Sequence, residues 1–265
     1  MRKTIGLLLC LGGLGLWAAH ARAQSLAAAA PTVPTQRSTV AVRPVDPRWQ
    51  PSLDAFAAAD RLHAPRPGGV LFVGSSSIRL WDGLEQQFGG GADSDAAADP
   101  VIIKRGFGGS RLADVAQYLD RLVLPYKPRL VVVYAGDNDL AEGRAPHEVL
   151  ESFRSLVDGV QRELPQTRIA YVSIKPSPLR EALMPQIRET NALIRGYAGS
   201  TPGLDYIDIH TPMLGADGRP RAELFRADAL HLNEAGYALW KTVIGSHLGA
   251  PSPHAAPTAA LHAGP

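Results

Sequence analysis

One cysteine, Cys10, stands in 265 residues, so the chain can close no disulfide within itself and must be held together by its core. Charge of one sign is also missing. Lys and Arg number 27 against 25 Asp and Glu, a formal net charge of +2, and no basic stripe gathers them. Nothing in that balance asks for nucleic acid or an anionic membrane surface as partner. Beyond the first two dozen residues no apolar run is long enough to cross a bilayer, which excludes integral membrane association for the rest. There is no internal repeat. No Gly-x-Gly-x-x-Gly opens a helix after a strand, so the dinucleotide fingerprint is absent too.

What is present begins with a leader. Arg2 and Lys3 precede the apolar run Ile5 to Ala19, and Ala21-Arg22-Ala23 offers small residues where a signal peptidase reads. Residues 1–23 are therefore expected to be a secretory signal, with the mature protein exported to the periplasm or secreted. Cys10 leaves with that segment, and thiolate chemistry with it. Leu9 is too bulky for the residue before a lipidated cysteine, which argues against a lipid anchor. Losing Arg2, Lys3 and Arg22 takes the formal charge from +2 to −1. Residues 24–47 and 251–265 are rich in Ala and Pro without a helical or strand period and read as flexible ends. Between them, residues 48–250 amount to roughly 200 residues, enough for one domain with a substantial core.

Short apolar runs punctuate that domain: Val70 to Val73, Val101 to Ile103, Leu130 to Tyr134, Ile169 to Val172 and Leu204 to Ile209. Most are continuous rather than alternating, the pattern of parallel strands covered on both faces. Between them Val149, Leu150, Phe153, Leu156, Val157, Val160 and Leu164 recur at helical spacing, as do Leu183, Ile187, Ile194 and Tyr197. Asn233 is a candidate N-cap for a last helix over residues 234–248. Strands alternating with helices predict an α/β protein, a three-layer α/β/α sandwich on a five-stranded parallel sheet. In such sheets ligands lie at the carboxyl ends of the strands, so the residues after each run are the ones to inspect.

Four of those ends carry chemistry. They are Gly74-Ser75-Ser76-Ser77, Arg105-Gly106-Phe107-Gly108-Gly109-Ser110, Ala135-Gly136-Asp137-Asn138-Asp139 and the later loop Asp228-Ala229-Leu230-His231. A serine nucleophile needs a base, an acid that orients the base, and donors for the developing oxyanion. Asp228 and His231 can supply the second and first of these, and one of the three serines the hydroxyl. Gly109 and Asn138 offer a backbone and a side-chain N–H.

Those four segments resemble, in order, the sequence blocks of the SGNH hydrolases, the GDSL-type esterase/lipase family. The likeness spans the core from about Val70 to Leu248. It implies a flavodoxin-like sheet, Ser76 as nucleophile, a Ser76–His231–Asp228 triad and an oxyanion hole of Ser76 N–H, Gly109 N–H and the Asn138 amide. It also implies no cofactor; no metal is expected, since no second histidine is suitably spaced with His210. One departure stands out, because Ser75 occupies the position of the family's aspartate before the nucleophile. The expected activity is hydrolysis of carboxylic esters, with short acyl, acetyl-type esters of carbohydrates or small alcohols as substrates, since the connections are short and no apolar lid is inserted. Lysophospholipids, short-chain lipids and thioesters are the alternatives, and a non-catalytic carbohydrate-binding protein on the same scaffold is the alternative of another class. Arg79, Trp81, Arg111 and Lys175 stand near the expected cleft and are candidates for substrate binding. Singly, each block has a plain structural reading, with Asp137 and Asp139 as solvated turn residues. His210, in Leu204-Asp205-Tyr206-Ile207-Asp208-Ile209-His210, competes with His231 as base, or could join Asp205 and Asp208 on a metal. His63, His147 and His247 have no evident partners in the sequence.

Overall fold

A computed structural model describes residues 45–89 and 101–249 of the chain. The expected leader, most of the expected N-terminal flexible segment and the expected C-terminal tail lie outside the described residues. Residues 45–47 do not: Val45 packs against the core and Asp46 N–H donates to the Tyr118 hydroxyl at 3.0 Å, so the folded part starts before residue 48.

Five strands form one parallel sheet: β1 (Val70–Gly74), β2 (Ile102–Gly106), β3 (Leu130–Tyr134), β4 (Arg168–Val172) and β5 (Leu204–Ile207). Their order is β2-β1-β3-β4-β5, the flavodoxin-like arrangement. β1 sits between β2 and β3, with Val70 opposite both Ile102 and Leu130. Because side chains alternate across a strand, the continuous apolar runs feed two separate cores. Leu71, Val73, Val131, Val133, Ile169 and Tyr171 face one; Val70, Phe72, Val132, Tyr134, Ala170 and Val172 face the other.

The helices divide accordingly. Residues of α1 (Gln50–Leu62), α4 (Leu112–Gln117), α5 (Leu119–Leu122), α7 (Pro146–Glu163) and α8 (Met184–Ser200) pack on the first core. Residues of α2 (Ser76–Arg79), α3 (Leu84–Phe88) and α9 (Glu234–Gly249) pack on the second, while α6 (Asp137–Ala141) follows β3 directly. α7 shows why the period-3.6 pattern folds as it does. Pro146 pre-sets its first turn, and Glu148 turns back to accept the Ala145 N–H at 2.8 Å. Val149, Leu150, Phe153, Leu156, Val157 and Val160 are then all buried. In α9 the Asn233 carboxamide oxygen accepts the Gly236 N–H at 3.1 Å, the expected N-cap.

The strands depart from the expected runs most at β2 and β5, while β1 and β4 each gain one residue. β2 starts at Ile102 and runs on through Lys104 and Arg105, because an edge strand tolerates polar residues that find partners. Lys104 Nζ reaches the Trp81 carbonyl at 3.1 Å, while Arg105 pairs with Asp60 and donates to the Tyr126 hydroxyl at 2.7 Å. β5 stops at Ile207, since Asp208 turns to accept the N–H and hydroxyl of Thr211 at 3.0 and 2.6 Å.

Candidate active site

Gly74 ends β1 with φ +148°, and a Cβ there would run into the Tyr134 carbonyl oxygen. Only glycine permits the strand to lie this close to β3 and turn at once into α2. Two backbone hydrogen bonds lock the three strand ends together: Phe107 N–H to Gly74 O at 2.9 Å and Ser75 N–H to Tyr134 O at 3.0 Å. Ser75 and Ser77 are buried, and their hydroxyls have no partner among the described residues. Ser76, half-buried at the first position of α2, is the serine of the triplet that faces outward.

Its hydroxyl meets His231 across 155 residues of chain, with Ser76 Oγ and His231 Nε2 3.1 Å apart. His231 Nδ1 lies 2.6 Å from Asp228 Oδ2, while Asp228 Oδ1 accepts the N–H groups of Leu230 and His231 at 3.0 and 2.9 Å. The backbone N–H of His231, followed by its ring, holds the Asp228 carboxyl well below the usual carboxylate range. Ala229 between them sits at φ +57°, a left-handed turn that brings both side chains to one side. The loop is pinned at its flanks by Arg226 N–H to His231 O at 2.8 Å and Leu179 N–H to Ala229 O at 3.0 Å.

The loops after β2 and β3 adjoin the same turn, through Phe107 N–H on Gly74 O and Ser75 N–H on Tyr134 O. Gly109 adopts φ +81° and is exposed. The N–H groups of Ser76 and Gly109 have no acceptor among the described residues. Asn138 Nδ2 donates one hydrogen to the Ser110 carbonyl at 3.0 Å and ties the two loops together. Its Oδ1 accepts from Arg180 Nη2 at 2.8 Å. Hydroxyl, imidazole, carboxylate and free N–H donors thus gather at the carboxyl edge of the sheet, beside the β1/β3 switch in strand order.

Other expectations do not survive. Trp81 cannot touch a substrate: it is fully buried in an aromatic cluster with Phe72, Phe88, Tyr237 and Trp240. Lys175 is buried too, its Nζ 2.8 Å from Asp137 Oδ2 and 3.0 Å from the Tyr134 hydroxyl. Arg111 is committed to Asp114 through Nε at 3.1 Å and Nη2 at 3.0 Å, with Glu142 at 3.6 Å from Nη1. Of the four binding candidates Arg79 alone stays exposed, its guanidinium beside Gly108 and without an acidic partner among the described residues.

Asp137 and Asp139 are not solvated turn residues but buried ones. Burial would raise the Asp137 carboxyl, yet Lys175 and Arg180 outweigh it and bring it down to about 2. Asp139, although the N–H groups of Leu112 and of Asp139 itself support its charge, is pushed up by burial to about 6. His210 is no base for Ser76: it is buried, its Nδ1 is 3.1 Å from the Ile174 carbonyl, and burial lowers its pKa. Asp205 points away to Arg168 and to His247, 3.8 Å distant, giving His247 a partner that the sequence did not suggest. Among the described residues no group of three or more His, Cys, Asp and Glu side chains is placed to hold a metal ion. Arg180 was not singled out from the sequence. Its signal was spatial, since the bond to Asn138 joins residues 42 apart in the chain.

Against known proteins, residues 72–239 match the family model of the GDSL-like Lipase/Acylhydrolase family. Similar solved structures include a candidate acylhydrolase from Bacteroides fragilis NCTC 9343, at 20% identity and TM-score 0.62, covering 77% of this chain and 98% of that one. A GDSL-like lipase from Bacteroides thetaiotaomicron VPI-5482 is similar at 20% identity and TM-score 0.61, covering 74% of this chain and 96% of the other. A family 3 carbohydrate esterase from Talaromyces cellulolyticus follows at 19% and 0.52, covering 68% and 96%. At such identities these likenesses establish the shared fold. No curated protein matches the chain.

Proposed function

The chain belongs to the GDSL-like lipase/acylhydrolase family, which makes it a carboxylic ester hydrolase, and from that premise we propose that it is an exported serine esterase working through Ser76, His231 and Asp228. The observation that carries this reading is the 3.1 Å approach of His231 Nε2 to Ser76 Oγ, with Asp228 at 2.6 Å behind the ring. With its proton on Nδ1, given to Asp228, the imidazole offers Nε2 as the base.

In the proposed reaction Ser76 Oγ attacks the ester carbonyl carbon as its proton passes to His231 Nε2. The carbonyl oxygen becomes an oxyanion, received by the N–H groups of Ser76 and Gly109 and by the Asn138 amide. The carbon–alkoxide bond then breaks, and the alcohol leaves with the proton held by His231. Water, deprotonated by the same nitrogen, attacks the acyl-enzyme; the bond to Ser76 Oγ breaks as His231 returns that proton to Oγ, and the acid departs.

Short acyl esters of carbohydrates or small alcohols fit this site best. The exposed guanidinium of Arg79 beside Gly108 supplies a polar rim for the alcohol part, and no apolar lid covers Ser76 among the described residues. Residues 1–23 serve as the secretory signal in this reading, with a periplasmic or secreted product. A longer acyl chain is the second reading, favoured by the exposed side chain of Leu179, whose N–H is bonded to Ala229.

A series of chromogenic esters from acetate to long chains, run on the full chain and on Ser76→Ala, is the test. The variant is expected to melt like the parent and to lose turnover and organophosphate labelling. Turnover in a well-folded Ser76→Ala protein would refute the nucleophile, and a maximum at long acyl chains would replace the acetyl preference with the lipid one.

A further inference from the structure

A carboxamide that serves an oxyanion must present its nitrogen, and a flip of about 180° would present a repelling oxygen instead. Asn138 is held against that flip at both ends. Its Oδ1 accepts from Arg180 Nη2 at 2.8 Å, and its Nδ2 gives one hydrogen to the Ser110 carbonyl at 3.0 Å. Reversed, the amide would set N–H against guanidinium N–H and carbonyl against carbonyl. The second Nδ2 hydrogen has no acceptor among the described residues, so it is free for the substrate.

We propose that Arg180 is the positioning residue of the oxyanion amide, fixing the orientation of Asn138 and strengthening its N–H as a donor. The proposal rests on the reading of Asn138 as an oxyanion donor. A guanidinium on Oδ1 draws electron density from the amide nitrogen and so strengthens its N–H as a donor.

Arg180 is itself held rigidly. Its side chain is 14% exposed, and Nη1 lies 3.1 Å from Asp137 Oδ2. The same carboxylate oxygen receives Lys175 Nζ at 2.8 Å and the Tyr134 hydroxyl at 3.1 Å. Two cations therefore share one buried carboxylate, that of Asp137, the residue before Asn138. The backbone adds its own constraint. Arg180 N–H donates to Ser177 O at 3.0 Å, and the neighbouring Leu179 N–H donates to Ala229 O at 3.0 Å. One short segment after β4 thus touches both the loop of the base and the amide of the oxyanion hole.

A double-mutant cycle on the full chain tests this, with kcat and KM measured for a nitrophenyl acetate. Arg180→Ala is expected to lower kcat about 10- to 100-fold, the scale of a misplaced catalytic group, with KM moved less than about threefold. In an Asn138→Ala background the same substitution is expected to cost at most about twofold, because its effect is routed through the missing amide. Unchanged kcat in Arg180→Ala, a change confined to KM, or an equal cost in both backgrounds would overturn the proposal. Wild-type kcat in Asn138→Ala would instead sink the oxyanion assignment on which it rests. If Arg180→Ala does not melt cooperatively, the cycle is read with Arg180→Lys, which keeps the charge beside Asp137 and loses the planar donor to Asn138.

Discussion

Asp228 uses both oxygens, Oδ2 on the His231 ring and Oδ1 on the N–H groups of Leu230 and His231. Those bonds require an acceptor and favour the ionised carboxylate. An asparagine would keep an acceptor for the backbone but could set an N–H against Nδ1. That stabilises the tautomer with hydrogen on Nε2, which cannot take the Ser76 proton. Asp228→Asn should therefore lower kcat by about 10⁴ while leaving the melting temperature within a few degrees, as steady-state kinetics and calorimetry would show. The same residue scale explains why one serine of three is available. Ser75 and Ser77 are buried, and of the three only Ser76 has an imidazole within reach.

At the scale of elements, the turn from β1 into α2 carries the site. Gly74 lets β1 approach β3 and reverse direction without a side chain in the way, and Tyr237 of α9 donates its hydroxyl to Ser77 O at 2.9 Å from the other side. A methyl group at position 74 would meet the Tyr134 carbonyl at a φ that side chains avoid. Gly74→Ala is expected to cost at least about 2 kcal/mol in denaturant unfolding and to remove activity by displacing Ser76. A variant as stable and active as the parent would show that the turn relaxes freely.

For the whole molecule, the buried carboxylates behind the site give stability a pH dependence of known sign. Asp139 ionises near about 3.9 in an unfolded chain, but burial raises it to about 6 in the fold. Between those values the folded protein keeps a proton that the unfolded chain has released, so the Asp139 contribution falls as pH rises from about 4 to about 6. Asp139→Asn, neutral throughout, should gain about 2 kcal/mol on the wild type across that window, read from urea midpoints at each pH. A gap that stays constant with pH would mean that Asp139 is not the titrating group. Asp137 acts in the opposite sense and at lower pH: Lys175 and Arg180 keep it ionised down to about 2, so its support is lost as pH falls from about 4 to about 2.

Much of this was legible in the residues alone, for physical reasons. Continuous apolar runs of four or five residues demand burial on both faces, which restricts them to a covered parallel sheet, and glycine, serine, asparagine and histidine at the ends of those runs mark the carboxyl edge. The spacing of α7 and the cap at Asn233 are local interactions, and local interactions are written in local sequence. The roles of single polar residues were not. Trp81, Arg111 and Lys175 have the composition of a binding surface, yet Trp81 and Lys175 are buried and Arg111 is paired with Asp114. Arg180 has the composition of a solvated loop, yet it lies against Asn138 and Asp137. Which charge meets which depends on contacts between strand ends far apart in the chain, and only the folded sheet sets those distances.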